Sequence, residues 1–243
     1  MDLVQALVVG GGGTLGAAVL EQLLARRAFG PLRVLVTQDF HASAAGLEPL
    51  VVGDAFALPP GCAELAVVVF DRERHANGRD AAFVRPAPEQ LPALAAALQR
   101  AGVRDLLVVL PHAAASLPQA LRAGLASLDE QAVAALGFER VVLLRSAQPP
   151  AEARSRGLQR VADLVLAQLR LMTPQHQQPV RATKVAQLAA ALACQLGAAP
   201  AGTRVMAPEV VWQAAQMEDP RALVQAWLAG RALPPLATTR MRM

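Results

Sequence analysis

Two hydrophobic rhythms run along the chain: short apolar runs of strand length, and longer stretches with helical spacing. Residues 6–9 are continuously apolar, as in a parallel strand buried on both faces. Behind them Leu15, Val19 and Leu23, with Leu20 and Leu24, mark one face of a helix. Residues 33–37 predict a second strand, 50–52 a third closed by Gly53 and Asp54, and 65–70 a fourth. A helix is expected over 88–101, with Leu91, Leu94, Ala95 and Leu98 on its apolar face and Gly102 at its end. Residues 106–110 predict strand five, stopped by Pro111, and 141–144 predict strand six. A helix from about 118 to 136, ended by Gly137, lies between them. Strands alternating with helices in this way predict an α/β fold, a doubly wound parallel sheet of Rossmann type.

The later chain is less regular and predicts a small, α-rich C-terminal part. Helices are expected over 152–170 and 183–196, the second ended by Gly197, with a short extended piece at 178–180. A brief strand at 204–206 and a short helix from Pro208 follow. The last helix has Asp219 as its cap, Pro220 at its first position and Gly230 at its end. The organisation expected is one domain over 1–211, of which 152–211 form a smaller substrate side, then a C-terminal helix and tail over 212–243. Within residues 220–229, Leu223, Val224, Trp227 and Leu228 make one narrow apolar stripe. That stripe predicts docking on the chain's own domain, on a second copy or on another protein. Pro234, Pro235 and the tail beyond them are expected to fray.

Composition removes several classes of function. Hydrophobic residues make up 54% of the 243, yet no apolar run reaches membrane-spanning length. The first residues carry neither a charged leader nor a cleavage pattern, so a cytoplasmic location without a membrane is expected. Net charge is +4, Lys184 is the sole lysine, and aromatic residues are 3% with no tyrosine, which speaks against nucleic acid. Cys62 and Cys194 match no metal or redox spacing and are expected to be two buried thiols. His41, His75, His112 and His176 are scattered, so no metal site is predicted.

The chemistry concentrates at the first turn. Gly10, Gly13 and Gly16 stand three apart between the first strand and the first helix, with Thr14 and Leu15 between the last two. This is a variant of the dinucleotide fingerprint. Its glycines serve a tight turn, close backbone approach to a pyrophosphate, and close packing of helix on strand. The helix N-terminus presents bare N–H groups and a partial positive charge to phosphate. Ligands of such sheets bind beyond the carboxyl ends of the strands, which gathers residues 10–16, Thr37 and Gln38, Gly53 and Asp54, residues 70–74 from Phe70 on, and 110–112 around one crevice. Residues 71–80 are strongly charged, and Arg72, Arg74, Arg79 and Arg85 border that crevice around an Asn77-Gly78 turn. Arginine forks suit phosphate or carboxylate, and mixed signs equally suit a solvated, self-paired loop.

Residues 9–16, 51–54, 98–104, 135–145 and 178–186 resemble, in order and spacing, an atypical short-chain dehydrogenase/reductase of the branch holding NmrA-like and Tat-interacting-protein-like oxidoreductases. The resemblance spans roughly residues 3–211. It implies NAD or NADP as cofactor, with Gly10, Gly13 and Gly16 on the pyrophosphate and Asp54 near the adenine. Relatives of this kind place an arginine directly after strand two for a 2′-phosphate. Here Thr37 and Gln38 stand there, and Asp39 is two residues beyond Thr37, which leaves the choice between NAD and NADP open.

The departures bear on chemistry. Reductases of this superfamily use a Tyr-x-x-x-Lys pair, in which the tyrosine passes a proton and the lysine lowers its pKa. The two places fall at about Arg122 and Ala126, and the serine region after strand five reads Leu110-Pro111-His112. His112 is the only candidate acid or base, and Ser116 and Ser127 have no base near them in sequence. Three readings follow: a nucleotide-binding, catalytically silent sensor or assembly partner; an NAD(P)-dependent oxidoreductase with a non-standard acid; and a scaffold that binds no nucleotide.

Overall fold

The structure, a computed structural model, describes residues 3–39, 44–53, 56–71, 80–112, 131–147 and 180–235. Seven strands run parallel in one sheet: β1 (Val4–Val9), β2 (Phe29–Val36), β3 (Leu47–Val51), β4 (Leu65–Val69), β5 (Asp105–His112), β6 (Arg140–Ala147) and β7 (Gly202–Met206). Their order is β3-β2-β1-β4-β5-β6-β7. The chain therefore winds outward from β1 to β3, returns beside β1 as β4, and winds outward the other way. The reversal between β1 and β4 is the switch point at which doubly wound sheets open a crevice.

Residue alternation splits the core between the two faces of the sheet. On one face Ala6, Val8, Val34, Val67, Val109 and Leu144 pack under α1 (Gly13–Arg26) and a long helix, α3 (Ala182–Leu196). On the other, Leu7, Val9, Leu35, Val68, Val108 and Leu143 pack under α2 (Leu91–Arg100) and Val133 of a helical turn at 131–134. Ala186, Ala189, Ala190 and Ala193 of α3 are buried, and short side chains there let it lie closely beside α1. Two short helices, α4 (Pro208–Ala215) and α5 (Arg221–Leu228), complete the same face.

Several boundaries differ from the sequence reading for identifiable reasons. Pro111 does not stop β5, which runs to His112 in register with β6. The Val109 carbonyl accepts the Phe70 N–H at 3.0 Å on the β4 side. Pro111, two residues on, turns its donorless nitrogen to that side after β4 has ended, so no ladder bond is lost. The helix expected from residue 88 begins instead with a 3₁₀ turn, Pro88–Gln90, and α2 starts at Leu91. Pro92 explains the delay, because a proline without an N–H is tolerated only in a helix's first turn.

β2 starts four residues earlier than expected, and β3 is Leu47–Val51, with Val52 just past its end. Cys62 is buried but Cys194 is exposed, contrary to the expectation of two buried thiols, because it lies off the α3 face formed by Leu188, Ala189, Leu192 and Leu196. The helices expected over 118–130 and 152–170 and the extended piece at 178–179 lie outside the described residues. Among the described residues no helix is long and apolar enough to cross a membrane, and no group of three or more His, Cys, Asp or Glu side chains could hold a metal ion.

Candidate functional site

The glycine turn has the backbone that its sequence predicts. Gly10 and Gly13 have φ of 85° and 78°, in the left-handed region that favours glycine. A Cβ on Gly10 would collide with the Val69 carbonyl of β4, and a Cβ on Gly16 with the Gly10 carbonyl. Gly10 thus permits β4 to close on the turn, and Gly16 lets α1 pack against the end of β1. Leu15 turns its side chain into the core and leaves its N–H at the helix mouth, while Thr14 is exposed.

α1 has no capping side chain of its own. Its N-cap is Gly12, and its first turn holds no acidic residue. The missing acceptor comes from across the switch point. Asp71, the second residue after β4, accepts the Leu15 N–H on Oδ2 at 2.7 Å. The same oxygen lies 2.7 Å from where a Gly13 Cβ would stand. An aspartate fifty-six residues away in sequence therefore serves as the helix's cap and meets its positive end. A small cavity of about 190 Å³ adjoins this contact, lined by Gly10, Gly12, Gly13, Asp71, Arg85 and Pro86 among others.

A second contact closes the neighbouring side. After a 3₁₀ turn at Asp80–Ala82, the chain runs antiparallel to the end of β2. Phe83 bridges Val36, Val84 donates its N–H to the Leu35 carbonyl at 3.1 Å, and the Ala82 carbonyl accepts both the Thr37 N–H at 2.8 Å and its Oγ1 hydroxyl at 3.2 Å. The Phe83 ring comes close over Gly11, where an added Cβ would be 3.2 Å from it.

The predicted site residues thus fare differently. Gly10, Gly13, Thr14, Leu15 and Gly16 converge at the helix mouth. Thr37 is at the end of β2 as expected, but its polar groups are engaged by Ala82. Phe70 is a correction: it is 1% exposed, and its side chain belongs to the core on the α2 face rather than to the crevice. That follows from strand alternation, which turns Phe70 the same way as Val68 and Ala66. His112 is the last residue of β5, not beyond it. Of the four arginines, Arg85 lines the cavity. Asp54, Arg72, Arg74, Arg79, Ser116, Arg122, Ala126 and Ser127 lie outside the described residues. The cap was missed because the charged stretch beginning at Asp71 reads as a solvated loop. The signal that could have found it is an uncapped helix whose turn faces the end of β4.

No protein-family model matches the chain, and no curated protein does. Solved structures match in fold. A protein from Bacillus halodurans assigned as an NAD-dependent epimerase/dehydratase superposes with a TM-score of 0.51 at 11% identity, over 86% of this chain and 99% of its own. A nucleoside-diphosphate-sugar epimerase from Staphylococcus aureus gives 0.50 at 13% identity, over 85% of this chain and 71% of its own. The likeness is one of fold, and that fold is the one implied by the resemblance to atypical short-chain dehydrogenases/reductases.

Proposed function

We propose that this chain is a dinucleotide-binding protein of the atypical short-chain dehydrogenase/reductase type, of the branch holding NmrA-like and Tat-interacting-protein-like oxidoreductases. In this reading it takes NAD or NADP and acts as a nucleotide-responsive sensor or assembly partner, without the tyrosine-dependent proton transfer of its enzymatic kin. The observation that carries the reading is the Gly10–Gly13–Gly16 turn at the switch point, with positive φ at the first two glycines and the third packed on the Gly10 carbonyl. The assignment of the Bacillus halodurans neighbour as NAD-dependent is in keeping with it. Silence in catalysis rests on the chain's having no tyrosine, since loss of a general acid costs on the order of 10²–10⁴ in rate.

Fluorescence titration with NAD, NADH, NADP and NADPH tests the reading. At least one should bind the wild-type chain. Gly13→Val should weaken it at least about tenfold, because valine strains a left-handed backbone and fills the phosphate approach. A melting curve confirms that the variant folds. Absence of binding to all four would return the chain to the scaffold reading, and hydride transfer lost on His112→Ala would make it an oxidoreductase with a non-standard acid.

A further inference from the structure

We infer that the dinucleotide crevice is closed by the chain itself, with Asp71 and the segment 82–84 acting as internal ligands that an incoming dinucleotide must displace. The inference rests on the nucleotide-binding reading above and adds its regulation. The Leu15 N–H is one of the bare donors that a helix mouth offers to phosphate, and here the Asp71 carboxylate holds it at 2.7 Å. A phosphate and this carboxylate compete for one donor, and their like charges repel. At the other end, the Ala82 carbonyl accepts from both donors of Thr37, its N–H and its hydroxyl, at the tip of β2, and Phe83 covers Gly11. The cavity beside Asp71 measures about 190 Å³, below the roughly 300–1,000 Å³ of ordinary ligand pockets.

Opening the crevice therefore breaks specific bonds. The Leu15 N–H exchanges a carboxylate for a phosphate and stays bonded, whereas Thr37 and Val84 lose their partners when the segment 82–84 leaves β2. The apparent affinity of the chain is its intrinsic affinity reduced by the fraction of molecules in the open form. Binding then exposes the Leu35 carbonyl and the Thr37 N–H at the end of β2, which are covered in the free protein, the kind of surface change by which a sensor reports its ligand.

Calorimetric titration of the full chain with NADH and NADPH tests this, alongside hydrogen exchange with and without ligand. Asp71→Ala should tighten binding by about ten- to a hundredfold, the span that a hydrogen bond to a charged group commands. Asp71→Asn retains an oxygen acceptor for Leu15 while losing the charge, so it should tighten binding by less, and it serves if the alanine variant does not fold. In the wild-type chain, ligand should strip protection from the Thr37 and Val84 amides and leave the Leu15 amide protected. Equal affinity in wild type and both Asp71 variants overturns the carboxylate's role. Unchanged protection at Thr37 and Val84 on binding overturns displacement of the segment. Binding by none of the proteins overturns both this inference and the reading on which it rests.

Discussion

At the scale of single residues, Gly16 and Gly53 answer to different constraints. Gly16 is fixed by packing: any side chain there meets the Gly10 carbonyl, a backbone atom that cannot swing away. Gly53, just past β3, has no heavy atom within 4 Å of an added Cβ and needs no left-handed backbone. Gly16→Ala should therefore destabilise the fold by about 1–3 kcal/mol, as overpacking does. Gly53→Ala should leave stability unchanged or slightly raised, since alanine narrows the unfolded ensemble. Urea denaturation of both variants checks the contrast, and a neutral Gly16→Ala would show that α1 can lift from β1 at little cost. The periodic glycines are legible in sequence because each excludes a side chain locally. Asp71 is not, because its role is set by a helix mouth fifty-six residues earlier in the chain.

At the scale of elements, hydrophobic periodicity located what it could sense. The strands and the helices over 182–196 and 208–215 stand within a few residues of their expected places, since apolar spacing both marks and drives their burial. The segment at 82–84 is marked only weakly: Phe83 and Val84 both reach the core, but so short an apolar run fixes no element. It pairs with β2 through backbone groups while Phe83 and Val84 pack on the core, and which strand it meets is set by tertiary position. The start of α5 corrects the expectation by one residue: the N-cap is Pro220, without a side-chain cap bond. Asp219 stands just before it, its Oδ1 accepting the Arg221 N–H at 3.0 Å and its other oxygen the Arg221 guanidinium at 2.7 Å. The hydrogen bond from that guanidinium is the main reason the Asp219 pKa lies below the ordinary carboxylate value. A depressed folded pKa stabilises the protein above the unfolded carboxylate value near 3.9, and the gain is lost as pH falls through the lower folded value. Asp219→Ala should accordingly cost no more than about 1 kcal/mol at neutral pH, the ceiling for a solvent-exposed ion pair. Thermal melts of both proteins should converge as the solution is acidified below that range.

At the scale of the whole molecule, the C-terminal helix shares the core of the sheet. Leu223, Val224 and Leu228 of α5 are buried in the same cluster as Ala6 and Val8 of β1, joined to them through α3 and α1, while Trp227 is only half buried against it. Three of the four stripe residues are thus satisfied within the chain, and of the four only Trp227 keeps part of its surface exposed. Isolated helices of this length are marginal in water, so α5 depends on that docking to form. Fully burying an aliphatic side chain contributes roughly 1.5–3 kcal/mol, and three of them give an upper estimate of several kcal/mol. Removal of residues 218–243 should also uncover Leu192 and Leu196 on α3, which now lie in that cluster. The truncated chain should therefore melt well below the full chain while keeping the same mass by light scattering. A drop in oligomer mass with an unchanged melting temperature would assign the stripe to a second copy instead, through Trp227 as anchor. Neither change would mean that α3 and α1 hold this face of the core without α5.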